Sequence, residues 1–298
     1  MATLEEKLEA GTFVITAEVT PPLSASPDAL LEAAAPLRGL VDAVNVTDAP
    51  GARATMSSFA AAAILAGNGF EPILQTTCRD RNRIAMAGDL LGAAAQGVRN
   101  LLVLHGDDPQ AGDMPEAKPV YDLDSRGVMA LARDMRETGT LPSGREIRPA
   151  PHFFIGCADT PFDPPDDFTP AGLEAKIAAG ARFAQTQFCF EPQVAGRYFG
   201  WLADHGVTAR LRIIAGIGPL RSAGQARYMN ENLFGVSIPD SLIDRLERAA
   251  DPRAEGEAAC VDLMQALAAI DGVSGLHVMA PMQDAEAIAR VIRKSGLR

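Results

Sequence analysis

Eight short apolar runs recur along this chain, most of them separated by stretches of helical periodicity. They are Phe13–Val19, Ala43–Thr47, Pro72–Thr77, Asn100–Leu104, His152–Cys157, Phe183–Phe188, Leu211–Ala215 and Gly275–Met279. Apolar runs of this length read as buried strands, and strands alternating with helices imply a parallel sheet. Eight such units close a (β/α)8 barrel, so the pattern predicts an α/β fold of the TIM-barrel type. The active site of that fold lies at the C-terminal ends of its strands. Here those ends read Glu18, Thr47-Asp48, Thr77-Cys78, Gly106-Asp107 and Gln187.

Local punctuation supports the pattern. Residues 1–12 read as an opening helix ended by Gly11, and strand one stops at Pro21-Pro22, which cannot continue a ladder. Ser26 caps a helix that has Pro27 in its first turn. Ser57–Ala66, Ile84–Gln96 and residues 169–181 read as helices, the last carrying Lys176. A polar loop rich in Gly and Pro follows strand four as far as Asp124, and Thr138–Arg148 is a small excursion. Residues 221–272 read as three helices, placing extra helices before strand eight. No repeat or linker divides the chain, so a single domain over residues 1–298 is expected.

Composition narrows the partners. A formal net charge of −11 argues against nucleic acid or an anionic membrane. No run approaches the ~20 apolar residues of a membrane span, and the N-terminus does not read as a signal peptide. A cytoplasmic protein is expected, with no dedicated allosteric domain after the barrel. Cys78, Cys157, Cys189 and Cys260 show no CxxC spacing and read as small apolar filler in a reduced compartment.

Four constellations could carry chemistry. Glu18 ends an apolar strand, where burial would raise its carboxyl pKa and suit it to proton donation; an exposed strand-end glutamate is the other reading. Gly106 permits close backbone approach, and Asp107 is expected to point over the barrel mouth unless it serves as a turn aspartate. Gln187, with Gln185 on the same face, offers both donor and acceptor to a lactam or pterin edge, or else belongs to a polar layer inside the barrel. Arg79, Arg81 and Arg83 suit a phosphate or carboxylate, or form a solvated loop. Gly216-Ile217-Gly218 is not followed by the rest of a dinucleotide motif.

Glu18 before Pro21-Pro22, then Val46-Thr47, Gly106-Asp107, Ala179-Gly180-Ala181 and Thr186-Gln187-Phe188, occur in order at barrel-strand spacing. This series resembles the methylenetetrahydrofolate reductases over about residues 12–280, and the segment from Cys78 to Arg83 is similar to a branch found in one-carbon and acetogenic metabolism. The resemblance implies a flavoprotein barrel that reduces 5,10-methylenetetrahydrofolate to 5-methyltetrahydrofolate with NAD(P)H, in ping-pong order, or runs the reverse in demethylating metabolism. By resemblance Glu18 is the acid that opens the folate ring, Asp107 lies by flavin and pterin, and Gln187 contacts folate and nicotinamide. Gln225 matches a substrate-contacting position. Thr47, Asp48, Gln75, His105, Gly106, Tyr121, Asp124, Ala158 and Lys176 fall where the family binds its cofactor, FAD or FMN in its place. A homo-oligomer is expected by analogy.

The chain also departs from that family. Family members commonly carry an aromatic at Asp48, a histidine at Gln75, a basic residue at His105 and a tyrosine near Ala158. Gly172, Ala175 and Gln283 likewise replace Asn or Arg. Catalytic positions are thus kept better than flavin-wrapping ones. The alternative is a flavin-free or non-catalytic folate-binding barrel acting as an accessory subunit. A Schiff-base aldolase is disfavoured, because no strand end carries a suitable lysine.

Overall fold

The structure, a computed structural model, describes residues 2–165, 167–281 and 284–298. Strands β1 (Val14–Val19), β2 (Ala43–Val46), β3 (Pro72–Thr77), β4 (Asn100–Leu104), β5 (Phe154–Asp159), β6 (Phe183–Phe188), β7 (Arg212–Ile217) and β8 (Val273–Val278) pair in parallel and in sequence order. β8 closes on β1 through the pairs Val14–Gly275 and Thr16–His277. The molecule is a (β/α)8 TIM barrel.

Helix α1 (Leu4–Glu9) precedes the barrel. Helices α2 (Pro27–Ala34), α3 (Ser58–Gly67), α4 (Arg83–Ala95), α5 (Ser125–Glu137), α6 (Ala171–Ala178) and α7 (Pro192–Asp204) follow the first six strands. Between β7 and β8 come the three expected helices, α8 (Ala223–Asn232), α9 (Asp240–Arg248) and α10 (Pro252–Ala268), and α11 (Ala285–Ser295) follows β8. Side-chain oxygens start several of them: Ser26 accepts from Ala29 N at 3.4 Å, and Asn82 accepts from Ile84 N and Ala85 N at 3.1 and 3.0 Å.

Three strands are displaced from their sequence reading, one of them β8, which begins two residues before Gly275 and ends at Val278. β5 begins two residues later than His152 and runs on through Asp159, whose carboxylate accepts from Tyr198 Oη of α7 at 3.0 Å. β7 runs past Ala215 through Gly216, where a Cβ would lie 2.3 Å from the Thr186 carbonyl oxygen. That glycine is a contact with β6 rather than a turn.

The barrel interior is layered. At the N-terminal end Val14, Ala43, Ile73, Leu102, Phe154, Phe183 and Ile214 pack together, joined by Leu4 and Leu8 of α1, as a cluster distinct from the core between strands and helices. Phe183 stacks on Phe154 with ring centroids 4.9 Å apart, and a Cβ on Gly156 would lie 2.3 Å from the Phe183 ring. One layer up the interior turns polar. Asn45 and Gln185 exchange amide hydrogen bonds at 2.5 and 3.0 Å, Gln185 Nε2 also donates to Thr16 Oγ1 at 3.0 Å, and Thr16 Oγ1 lies 3.0 Å from His277 Nδ1. All four side chains are buried, and burial pushes the His277 imidazole down to about 3, so it is neutral. None of the helices among the described residues is long and apolar enough to cross a membrane.

Candidate active site

Above the polar layer, at the C-terminal end of the barrel, β1 presents Glu18, paired in register with Asn45 of β2. The strand continues to Val19 and then meets the two prolines, so Glu18 occupies its last inward position. The side chain keeps some solvent exposure, but its carboxyl is enclosed, and burial raises it to about 7. Gln75 of β3 hydrogen-bonds this carboxyl and pulls in the opposite direction, more weakly. A carboxyl balanced near neutrality can hold a proton and release it.

Thr47 follows β2 on the same inner face as Asn45 and is 2% exposed; its hydroxyl has no hydrogen-bond partner. Asp48 is also buried, but both of its oxygens are engaged by Ser58, Thr77 and Arg81.

The arginines after β3 each bind an aspartate, and Arg79 binds loop carbonyls as well. Arg79 pairs with Asp80 at 2.8 Å and donates to the carbonyls of Asp107 and Ala49 at 3.2 and 3.4 Å. Arg81 pairs with Asp48 and Asp89, and Arg83 with Asp122. The Asp107 carboxylate accepts from Gly51 N at 2.7 Å, so it ties the β4 loop to the β2 loop instead of standing free over the mouth. Gly106 has φ +97°, and a Cβ there would lie 2.9 Å from Arg79 Cβ, which explains the glycine.

The remaining predicted positions surround this rim. His105 and Tyr121 stack almost flat, with centroids 4.6 Å apart and planes 7° from parallel. Asp124 caps α5 by accepting from Gly127 N at 2.7 Å, which holds its carboxyl below the usual range. Lys176 of α6 donates to the Ala158 carbonyl at 2.7 Å. Gln187 donates to the Phe234 carbonyl at 2.9 Å and accepts from Phe188 N at 3.0 Å. Gln225 links two loops, accepting from Arg221 N at 2.8 Å and donating to the Pro281 carbonyl at 2.9 Å. Gln283 lies outside the described residues.

Glu18, Gln75 and Thr47 are therefore brought together on neighbouring strands, while Gln187 and Gln225 stand on the β6–β8 side with backbone partners. Gln185, not Gln187, belongs to the interior polar layer. Sequence reasoning missed His277, although the two-residue alternation Gly275, His277, Met279 would have placed it inward. It also missed the Asp159–Tyr198 pair, for which no local signal exists. The four cysteines are free thiols and buried.

The methylenetetrahydrofolate reductase family profile matches residues 3–296. Methylenetetrahydrofolate reductase 2 of Schizosaccharomyces pombe is 30% identical over 236 residues, covering 75% of this chain and 35% of that protein. A probable methylenetetrahydrofolate reductase (NADPH) of Caenorhabditis elegans is 29% identical over 199 residues, 65% of this chain and 27% of that protein. The chain thus spans about a third of the length of these curated relatives. Among solved structures, a Clostridium thermocellum protein described as binding two copies of 5-methyl-5,6,7,8-tetrahydrofolic acid shares the fold, with a TM-score of 0.64 over 99% of this chain and 98% of its own at 14% identity. With a family match spanning residues 3–296 of a closed eight-stranded barrel, the chain belongs to the methylenetetrahydrofolate reductase family.

Proposed function

We propose that this barrel reduces 5,10-methylenetetrahydrofolate to 5-methyltetrahydrofolate with NAD(P)H and a bound flavin, FAD or FMN. The observation that supports this reading most is Glu18, a carboxyl raised to about 7 with an amide neighbour at the barrel mouth. Such a group donates a proton to the ring nitrogen that departs as the folate five-membered ring opens, leaving a carbon ready for hydride. Gln75 orients the carboxyl, and Gln187 offers an amide to the pterin edge.

The ring-binding part of the site fits a flavin. Thr47 has an idle buried hydroxyl, His105 and Tyr121 form a flat pair, and Lys176 donates one hydrogen bond to Ala158 from an amine that has three protons. A flavin bound among these residues would supply the two-electron hydride chemistry, with the barrel providing orientation. Nicotinamide and folate would use one mouth in turn, which gives ping-pong kinetics. Glu18 holds its proton through the first visit and delivers it in the second.

One observation favours a second reading, a folate-binding barrel without flavin. Arg79, Arg81 and Arg83 are all engaged with aspartates, so they leave no free guanidinium for a dinucleotide's phosphates.

An anaerobic titration of the purified protein with NADH and then methylenetetrahydrofolate, followed in the visible, separates the two. A flavin band that bleaches with the first and returns with the second supports the reductase. A colourless protein that stays inert after added FAD or FMN supports the flavin-free reading.

A further inference from the structure

Among the described residues two buried side-chain polar atoms lack a hydrogen-bond partner, Thr47 Oγ1 and Arg290 Nη2. A buried hydroxyl gives up its water without compensation, so an idle one persists only where its backbone is firmly held or a ligand completes it. Thr47 stands on the inner face at the top of β2, beside the strand that carries Glu18. The next residue explains how it is held.

Asp48 Oδ1 accepts from Ser58 Oγ at 2.9 Å, and Oδ2 accepts from Thr77 N and Thr77 Oγ1 at 2.9 and 3.0 Å. Arg81 lays Nη1 and Nη2 across the same two oxygens at 2.7 and 3.3 Å. Arg81 is itself fixed from two further directions. Its Nε donates to Asp89 of α4 at 3.0 Å, and its guanidinium lies 4.6 Å from the centre of the Phe59 ring of α3. The Asp48 carboxylate is thus filled by protein donors from β3, α3 and the loop after β3, which fix the backbone on which the neighbouring Thr47 stands.

We propose that Asp48 and Arg81 are a positioning pair that holds the Thr47 hydroxyl open as the hydrogen-bond partner of a bound pteridine-type ring, the chemistry that flavin and folate share. Asp48 then acts on the ligand through Thr47 without touching it. This rests on the function proposed above, because it needs a ring bound at the mouth.

A double-mutant cycle tests it with two probes: FMN, followed by fluorescence quenching, and 5-methyltetrahydrofolate, followed by calorimetry. Thr47→Ala weakens one probe about fivefold, the size of one net hydrogen bond, and the probe affected identifies the ring. Arg81→Met weakens the same probe about as much, and the double variant binds no worse than Thr47→Ala within about twofold, because both changes remove one interaction. Arg81→Lys keeps a charge on Asp48 and recovers part of the affinity. Thermal melts of every variant accompany the binding data, and Arg81→Lys serves in the cycle if Arg81→Met does not fold. Additive losses of about 25-fold in the double variant overturn the proposal. So does a lowered melting temperature with unchanged affinity in Arg81→Met, or an unchanged affinity in Thr47→Ala. Wild-type protein that binds neither probe would overturn the function proposed above and this assignment with it; additive losses in a protein that does bind overturn the assignment alone.

Discussion

The two ends of the barrel interior are built from opposite materials. The N-terminal end is a layer of aliphatic and aromatic side chains plugged by Leu4 and Leu8. The C-terminal end carries Glu18, Gln75 and an unpartnered Thr47 hydroxyl. Between them lies the Asn45–Gln185–Thr16–His277 layer, in which the hydrogen bonds close on one another. The contrast separates two tasks. Apolar contacts at one end hold the strands together and ask nothing of a ligand. At the other end polar groups are left incompletely satisfied, which lowers stability and allows chemistry. The middle layer is polar yet uncharged, so the acid above it faces no cation from below.

The sharpest test of this division is Glu18→Gln. It is expected to slow the folate half-reaction by ~10²–10⁴, the usual contribution of a general acid, while reduction by NAD(P)H proceeds. Rapid-mixing measurements of the two half-reactions check this, and equal loss of both would remove Glu18 from the acid role. Phe183→Ala tests the other end. It should cost about 3–5 kcal/mol in denaturant unfolding, with turnover per folded molecule nearly unchanged, because the cavity lies far below the mouth.

A third test uses pH. The Glu18 pKa is raised from 4.5 in the unfolded chain to about 7 in the fold. The folded state therefore keeps a proton that the unfolded state loses. The stability this contributes is whole below the unfolded pKa and is lost as pH rises through the folded one. Glu18→Gln should accordingly match the wild type near the unfolded pKa and exceed it above the folded one, by on the order of 2 kcal/mol after allowance for the exposed part of the side chain. Parallel urea melts across that interval would show no divergence if the carboxyl were not buried. The smallest effect is expected for Gln187→Ala, a rise of up to about tenfold in the KM for folate with flavin content unchanged. Flavin-free protein would instead give Gln187 a structural role.

The barrel was legible because its signals are local: eight apolar runs, a serine before a proline, glycines after helices. What could not be read depends on partners far along the chain. β5 extends through Asp159, which pairs with Thr186 of β6 and whose carboxylate accepts from Tyr198, 39 residues on. The arginines after β3 have the spacing of an anion site, yet Arg81 and Arg83 meet Asp48 and Asp122 at separations of 33 and 39 residues. Asp107 looked free because Gly51 N, its donor, sits 56 residues earlier. Glu18 was readable for a local reason, since the apolar strand and the double proline that enclose it are its immediate neighbours.

Gly156 and Phe183 sit on adjacent strands, and a single methyl on the former would lie inside contact distance of the ring of the latter. Read as inheritance, the two positions behave as one. A lineage cannot enlarge residue 156 unless residue 183 has already shrunk, and shrinking 183 first opens a hole in the barrel's floor. Each single step descends before the pair can climb, so this corner of the sequence is expected to drift more slowly than the arginine-studded rim above it.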